Sequence, residues 1–418
     1  MKPDAFSAAD GRLTLHRLQA RSMRRPDPQA ALRGALEQPV AGPPLAQVLA
    51  GGRSLVIVIS DGTRHTHSHL VVPTLLAAAA AAGIPAGACS VVIARGLHPP
   101  VPIPVQERLL GEAWGKVWVV EHDGDRGELA PLGTTSRGTP VELNRLAAEA
   151  DRLVLTGAVG YHYYAGYGGG RKGLVPGLAS RLTIQANHRL MLLPSGEVHP
   201  QARAGVLAGN PVHEDMVEAA ALARPHFLVN VVNRPDGELA ACFAGDWQQA
   251  HTEAVRFLDR YCRLQVSELQ PLVLADAGGS PYDLTLYQAH KAMDAAARLV
   301  ADGGVLILRA RCPQGLGPPE YADFLAWKQP ARILQRLRLG RYCVPAQTAH
   351  ATLTKTQRIR VILVSDRLHP DDAHRAGALL AENMEQALVM AARKLGSLPP
   401  AALAIPAAGS LLVEVTGT

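Results

Sequence analysis

Short runs of apolar and β-branched residues recur along the chain, and stretches of helical character separate several of them. Such runs occupy residues 54–60, 89–96, 116–123 and 152–160, and later 271–279, 305–312 and 360–366. A continuous apolar run of this length predicts a strand that is buried on both faces. Residues 71–83 and 287–304 predict helices between strands. Strands that alternate with helices favour an α/β fold with mainly parallel sheets.

The length of the chain, 418 residues, exceeds what one ordinary core holds and predicts two domains. The second strand and helix block begins after the polar segment that ends near residue 269. We therefore predict an N-terminal domain at 1–262, a linker at about 263–269 and a C-terminal domain at 270–418. Each domain is expected to hold a mainly parallel sheet flanked by helices.

Composition excludes several classes of protein. Apolar residues make up 48% of the chain and charged residues 19%, and the net charge of +6 is modest for this length. We expect no nucleic-acid partner, and no apolar run is long enough to predict a membrane span. The N-terminal stretch lacks the apolar core of a secretory signal. The five cysteines are far apart and form no CxxC pair, so we expect a reducing cytoplasm.

Polar residues that follow the predicted strands are the first candidates for chemistry, because ligands of parallel sheets lie outside the carboxyl ends of the strands. The segment Asp61, Gly62, Thr63 and Arg64 offers a carboxylate, a hydroxyl and a guanidinium directly after the first buried strand. This set suits a phosphate or a ribose. A helix start capped by Asp61 or Thr63 explains the same residues equally well. His98 follows the next strand.

The stretch GYHYYAGYGGGRKG, residues 160–173, combines a histidine, a glycine run and a lysine. It matches neither GxxxxGK[ST] nor GxGxxG, so the common phosphate loops are not indicated. A ligand could still approach such bare backbone closely, and a loop without a ligand is the alternative. His162 and His188 lie on either side of Lys172. Imidazole can act as a base or bind nickel, copper or zinc, and lysine can form a covalent link.

Two further groups of residues have spacing that bears on function. His65, His67 and His69 alternate and would share a face if extended, but the segment is expected to enter a helix, which scatters them. Gln288 and Lys291 lie three residues apart on a predicted helix and suit a carboxylate substrate. A surface helix without a ligand is the alternative for this pair.

Taken together, these segments resemble the lactate racemase family of nickel-pincer-nucleotide enzymes over roughly residues 45–400. The resemblance rests on SDGTR, ARGLHPP, YHYYAGYGGGRKGLVPGLASRLTIQANH, GNPVHEDM, FAGDW and SPYDLTLYQAHKA, in the order of the family. It implies an active site in the cleft between the two domains. The first domain would hold the cofactor and the second would lie on the substrate side.

The resemblance also implies individual roles. Lys172 would carry the cofactor, a pyridinium-3,5-bisthiocarboxylic acid mononucleotide, as a covalent adduct, and His188 would be the protein ligand to its nickel. Asp61 to Arg64 would hold the nucleotide end. His98 and His162 would be the acid/base pair, and Gln288 and Lys291 would bind the substrate. Separate biosynthetic enzymes would be needed to make the cofactor.

The implied reaction is racemisation or epimerisation of a 2-hydroxy acid that is lactate-like or larger. One histidine removes the hydroxyl proton while the α-hydride moves to the pincer carbon, and a planar 2-keto acid forms. After the keto acid rotates, the hydride returns to its other face. The chain departs from the family at Leu97, where a threonine is common, and in the segment CVPAQTAH, and both positions are expected to shape the substrate pocket.

Two other functions remain open at this stage. An NAD-type 2-hydroxy acid dehydrogenase would use the same histidines with a diffusible nucleotide, although the absence of GxGxxG disfavours it. A non-catalytic protein that binds nickel or a nucleotide would retain its ligand without exchanging an α-hydrogen. The sequence indicates no oligomeric state.

Overall fold

A computed structural model describes residues 13–339 and 342–416 of the chain. The stretch examined for a secretory signal lies almost entirely outside the described residues. The strands are β1 Thr14–Arg17, β2 Leu55–Ser60, β3 Cys89–Ala94, β4 Trp118–Glu121, β5 Leu129–Thr134, β6 Pro140–Asn144, β7 Arg152–Val159, β8 Tyr161–His162, β9 Gly166–Tyr167, β10 Phe227–Asn233, β11 Leu239–Gly245, β12 Arg263–Val266, β13 Gln270–Asp276, β14 Val300–Arg309, β15 Arg360–Val364, β16 Leu379–Ala381, β17 Ala401–Ile405 and β18 Leu412–Val415.

The helices follow several of these strands along the chain. They are α1 Pro28–Glu37, α2 Leu45–Leu49, α3 Ser68–Ala81, α4 Ile103–Leu110, α5 Arg145–Ala148, α6 Arg181–Arg189, α7 Pro211–Leu222, α8 Trp247–Cys262, α9 Leu286–Ala297, α10 Pro319–Ala326, α11 Pro330–Leu339, α12 Val344–Arg358, α13 Pro370–Arg375 and α14 Met384–Leu395. None of the helices within 13–339 and 342–416 is long and apolar enough to cross a membrane.

The chain divides into two compact units. The first unit comprises 23–191 and 199–259, and the second comprises the described residues of 13–22, 192–198 and 260–416. The predicted ranges, 1–262 and 270–418, differ from these units mainly in two segments. Residues 13–22 join the second unit because β1 pairs with β17. Residues 192–198 join it through a hydrogen bond of 3.1 Å from Arg338 to the Ser195 carbonyl.

The first unit contains a six-stranded sheet, among the residues that the structure describes, in the order β11-β10-β7-β2-β3-β4. All neighbours are parallel except β10 and β11. Strand β2 is central and buried at every position but the last, as its unbroken apolar sequence requires. Its side chains pack with those of α1, α2 and α3 into one hydrophobic core.

The second unit contains a six-stranded sheet in the order β1-β17-β13-β14-β15-β16, counted over its described part, with all neighbouring strands parallel. The core lies between this sheet and helices that include α14. Two mainly parallel sheets with flanking helices confirm the predicted α/β class.

The helix predicted over 287–304 extends too far at its C-terminal end. Helix α9 ends at Ala297, and strand β14 already begins at Val300, where it pairs with Gln270. The pairing register shifts after this pair, and Gly303 adopts a φ of 74°, which suits glycine. Sheet pairing therefore takes residues that a helical pattern alone assigns to the helix.

Candidate active site

The predicted site residues of the first unit lie at one edge of its sheet. Strands β7, β2 and β3 are neighbours and parallel, so their carboxyl ends meet at the same edge. Residues 61–64 follow β2, His98 follows β3, and the segment 160–173 follows β7. The backbone N–H of Gly96, two residues before His98, donates to the carbonyl of Gly177, four residues after the end of the third segment, at 2.9 Å. This is the edge at which ligands of open α/β sheets bind.

Asp61 and His98 form a close pair. His98 Nδ1 lies 2.6 Å from Asp61 Oδ2, and the carboxylate is buried whereas half of the His98 side chain is exposed. Burial raises the pKa of Asp61, but the hydrogen bond and charge of His98 and the hydroxyl of Thr63 outweigh it and lower the pKa to about 2. The ionised carboxylate fixes the proton of His98 on Nδ1. Nε2 is then the nitrogen of this half-exposed side chain that can exchange a proton.

The rest of the segment after β2 has a local structural explanation. Thr63 donates its N–H to Asp61 Oδ1 at 3.2 Å, and Arg64 donates to the Thr63 carbonyl at 2.9 Å. A Cβ on Gly62 would lie 2.6 Å from the Val105 side chain, so a larger residue would require Val105 to shift. Helix α3 begins at Ser68, which makes the alternative of Asp61 or Thr63 as its cap wrong.

The buried ring of Tyr164 brings three predicted residues together. Its centroid lies 4.5 Å from that of His162 and 5.1 Å from that of His188, both in edge-on geometry. The Lys172 Nζ atom lies 5.8 Å from the same centroid. The N–H of Ala165 donates to His162 Nδ1 at 3.3 Å, which leaves Nε2 as the other proton-carrying position of this ring.

The pKa values of Lys172 and His188 are both lowered in the folded chain. Burial, with the charges of Arg171 and Arg64, holds the pKa of Lys172 well below its usual range. Burial and the charge of Lys172 lower the pKa of His188 to about 3. Among the described residues, no carboxylate forms an ion pair with Lys172. A neutral amine is the nucleophilic form of lysine, and a neutral imidazole is the form that binds a metal.

Sequence reasoning missed the group that supports the glycine loop. Arg171 is only 1% exposed, and its guanidinium donates to the carbonyls of Ala165 and Tyr167 at 3.0 Å each. It also lies 3.0 Å from His251 Nε2. The His213 ring stacks near that of His251, with centroids 6.5 Å apart. His213 lies in the quoted segment GNPVHEDM, but no local pattern distinguishes His251.

Both of these histidines are uncharged at neutral pH. Burial and the nearby charge of Arg171 lower the pKa of His251 to about 3 and that of His213 to about 2. The His213 Nδ1 atom is buried and has no hydrogen-bond partner among the described residues. Two neutral imidazoles therefore lie beside the loop that contains Lys172.

Gln288 and Lys291 lie in the second unit, on helix α9. Lys291 Nζ donates to Gln288 Oε1 at 2.8 Å and lies 5.5 Å from the Tyr282 ring centroid. Most residues of α9 are buried, so the alternative of a surface helix is wrong. The side chain of Thr285 caps the helix by accepting from the Gln288 N–H at 3.1 Å. The contact confirms that the two side chains share a face.

The three alternating histidines do not converge on a metal geometry. A cavity of about 320 Å³ beside Arg64 is lined by His65, His67 and His69 together with Arg108 and acidic residues near 236–238. His67 lies 3.1 Å from Asn233 Oδ1 and precedes α3 directly. Over the described residues, no group of three or more histidine, cysteine or acidic side chains is placed to hold a metal ion.

The residues around Tyr164 fit the implied cofactor. Covalent attachment needs an unprotonated amine, and the lowered pKa of Lys172, which has no acidic partner in the described chain, favours that form. Nickel bound by sulfur donors needs one further neutral donor, and His188 supplies an imidazole. Gly169 and Gly170, with φ of 72° and 53°, leave the backbone beside the lysine without side chains.

Comparison with known families shows similarity over most of the chain. Residues 6–199 match the lactate racemase N-terminal domain, and residues 267–413 match the lactate racemase C-terminal domain. A lactate racemase of Thermoanaerobacterium thermosaccharolyticum is 33% identical over 306 residues, which cover 72% of this chain and 70% of that protein. A lactate racemase of Lactiplantibacillus plantarum is 31% identical over 379 residues, 88% of this chain and 87% of the relative.

Solved structures show the same similarity. The lactate racemase apoprotein from Thermoanaerobacterium thermosaccharolyticum superimposes with a TM-score of 0.85 at 27% identity, covering 98% of this chain and 97% of that one. A protein from Thermotoga maritima gives a TM-score of 0.71 at 17% identity, over 94% and 100% of the two chains, and shows the fold alone.

Proposed function

The chain belongs to the lactate racemase family and is an isomerase, and from this premise we propose that it racemises or epimerises a 2-hydroxy acid that is lactate-like or larger. The chain covers most of the length of both relatives named lactate racemase. We therefore propose a complete racemisation reaction for this chain. The substrate proposed first is lactate, because both relatives are named for it.

The proposed cofactor is the nickel-pincer nucleotide, bound covalently to Lys172 with His188 as the protein ligand to nickel. When bound, this group supplies a carbon that accepts the α-hydride and returns it. The observation that supports the proposal most is Lys172 itself, a partly buried lysine whose pKa is far below its usual range and which has no ion-paired carboxylate in the described residues. Asp61 to Arg64 would hold the nucleotide end.

The protein's own part in the reaction is proton transfer and positioning. His98, oriented by Asp61, takes the hydroxyl proton of one enantiomer on its Nε2, and His162 takes that of the other. Loss of that proton and of the α-hydride gives a 2-keto acid, and return of both to the opposite face gives the other enantiomer. Lys291 and Gln288 would hold the carboxylate, since an ammonium and an amide both donate hydrogen bonds.

We place the reaction in the cytoplasm, where thiols stay reduced, in keeping with five widely spaced cysteines. The proposal also requires separate enzymes that build the cofactor. A host without them would yield a folded chain without activity.

The test begins with protein isolated from its own host. Digestion and weighing of the Lys172 peptide, nickel analysis and a lactate racemisation assay are run on the same sample, with Lys172→Ala as the matched variant. The proposal expects a mass increase on Lys172, nickel in the sample and racemisation, all lost in the variant. Full racemisation by Lys172→Ala would refute it. A diffusible nucleotide would support the dehydrogenase, and retained nickel without turnover would support a binding protein.

A further inference from the structure

The guanidinium of Arg171 occupies the inside of the glycine loop. Besides the carbonyls of Ala165 and Tyr167, it approaches those of Gly168 and Gly169 at 3.4 Å each. No carboxylate pairs with it anywhere in the described chain. A buried cation is costly unless it is satisfied, and here backbone carbonyls of one short loop supply the acceptors. The side chain therefore fixes the shape of the loop that surrounds it.

His251 ties this loop to helix α8. Its Nε2 lies 3.0 Å from Arg171 Nη1 and 2.9 Å from the Gly168 carbonyl oxygen. An unprotonated Nε2 accepts from the guanidinium, and a protonated Nε2 donates to the carbonyl, so either tautomer links the ring to the loop. A Cβ on Gly170 would lie 2.9 Å from the His251 ring, which shows how closely the ring packs on the backbone.

Fixing Arg171 also fixes its neighbour. Arg171 and Lys172 are consecutive in the single 3₁₀ turn Gly170–Gly173, where successive side chains leave the axis about 120° apart. With the guanidinium held inside the loop, Lys172 has to leave on another side, and its Nζ lies toward Tyr164.

We propose that Arg171, held by His251 and the loop carbonyls, is a positioning residue that sets the direction in which Lys172 is presented. The link to cofactor attachment rests on the proposed function, whereas the effect on the loop does not. Loss of the His251 contact should loosen residues 165–173 and reduce the fraction of Lys172 that becomes modified.

The experiment compares two substitutions at His251 in the full chain. His251→Phe keeps a ring against Gly170 but removes the polar nitrogen, whereas His251→Gln keeps a polar atom near the position of Nε2. Leu258→Ala, a core truncation on the same helix, is the control for general destabilisation. Amide hydrogen exchange of the peptide over 165–173 is measured for each protein without cofactor. The fraction of modified Lys172 is measured after expression in a cofactor-competent host.

We expect loop exchange to be about five- to ten-fold faster in His251→Phe, the effect of one lost hydrogen bond. Modification of Lys172 should fall at least several-fold, and His251→Gln should restore both. Leu258→Ala should not accelerate the loop selectively. Unchanged loop exchange in His251→Phe would overturn the proposal. If that variant does not fold, rapid exchange of the Gly168, Gly170 and Lys172 amides in the wild-type chain would overturn it instead. An unmodified Lys172 in the wild type would count against the proposed cofactor, while the exchange result would still decide the positioning role.

Discussion

Asp61→Asn tests the contact between Asp61 and His98 while keeping the shape of the site. The carboxylate is buried, with 8% of its side chain exposed, and its Oδ2 is 2.6 Å from His98 Nδ1. A hydrogen bond to a charged group contributes about 1.5–3 kcal/mol. The fall in the pKa of Asp61 from 3.8 to about 2 corresponds to about 2 kcal/mol, which agrees with that range. If the pair stabilises protonated His98 during turnover, kcat should fall about ten- to a hundred-fold.

The assay measures conversion of L-lactate to D-lactate and the reverse, divided by the fraction of Lys172 that carries the adduct. This normalisation separates slower chemistry from poorer cofactor loading, which matters because the segment from Asp61 is also proposed to hold the nucleotide. Asp125→Asn is the matched control, since Asp125 is a half-exposed carboxylate that pairs with Arg181 at 2.6 Å. A normalised rate that is unchanged in Asp61→Asn would refute the role assigned to the pair.

The same variant should also change how the stability of the fold depends on pH. Because the pKa of Asp61 is lower in the folded chain than its ordinary value, the ionised carboxylate stabilises the fold above about pH 4. This contribution, about 2 kcal/mol, is lost as the pH falls from about 4 to about 2. Denaturant unfolding at several pH values should show this loss in the wild type and a smaller one in Asp61→Asn. Equal pH dependence in both would contradict the depressed pKa.

Three further variants test other parts of the structure. His188→Ala should keep the adduct on Lys172 but lower nickel per adduct, as measured by metal analysis; unchanged nickel would exclude His188 as a ligand. Gly166→Ala should destabilise the fold by about 2 kcal/mol or more in denaturant unfolding, since φ is 77° and a Cβ would collide with the Val206 carbonyl. Asp294→Asn should lower the free energy of unfolding by about 3–5 kcal/mol in denaturant unfolding. In the wild type, Lys355 Nζ lies 2.8 Å from Asp294 Oδ1, and the substitution leaves this partly buried ammonium without its ion pair.

Strands β2, β3, β7, β13, β14 and β15 could be predicted because each is largely buried and contains an apolar run, whereas the buried strand β10 was missed. Strand β1 could not be predicted, since its four residues, TLHR, are mostly exposed and its partner β17 lies almost 400 positions later. A short edge strand needs no apolar pattern, so its place depends on long-range pairing that no local window contains. The end of α9 was missed for a related reason, because pairing of Val300 with Gln270 decides it.

The site was predictable in its position more than in its contacts. Polar residues after successive parallel strands meet at one edge, which is why the segments after β2, β3 and β7 could be selected together. The pairing of Asp61 with His98 depends on the loops beyond the strands, and the sequence suggested either a ribose or phosphate partner or a helix cap for Asp61. Arg171 was judged by its failure to fit a phosphate loop, and its enclosure by carbonyls follows only from the folded loop. The roles given to these residues remain proposals.

The pairing of β1 with β17 also bears on how the chain is made. The sheet strands of the first unit lie between residues 55 and 245, so that sheet can close once this part has left the ribosome. The sheet of the second unit needs β1, from the earliest described residues, and β17 at Ala401–Ile405. Strand β1 therefore lacks its hydrogen-bonding neighbour until β17 has been synthesised. Its mostly exposed and polar side chains lower the risk of aggregation during this interval, because an unpaired apolar strand can pair with other chains.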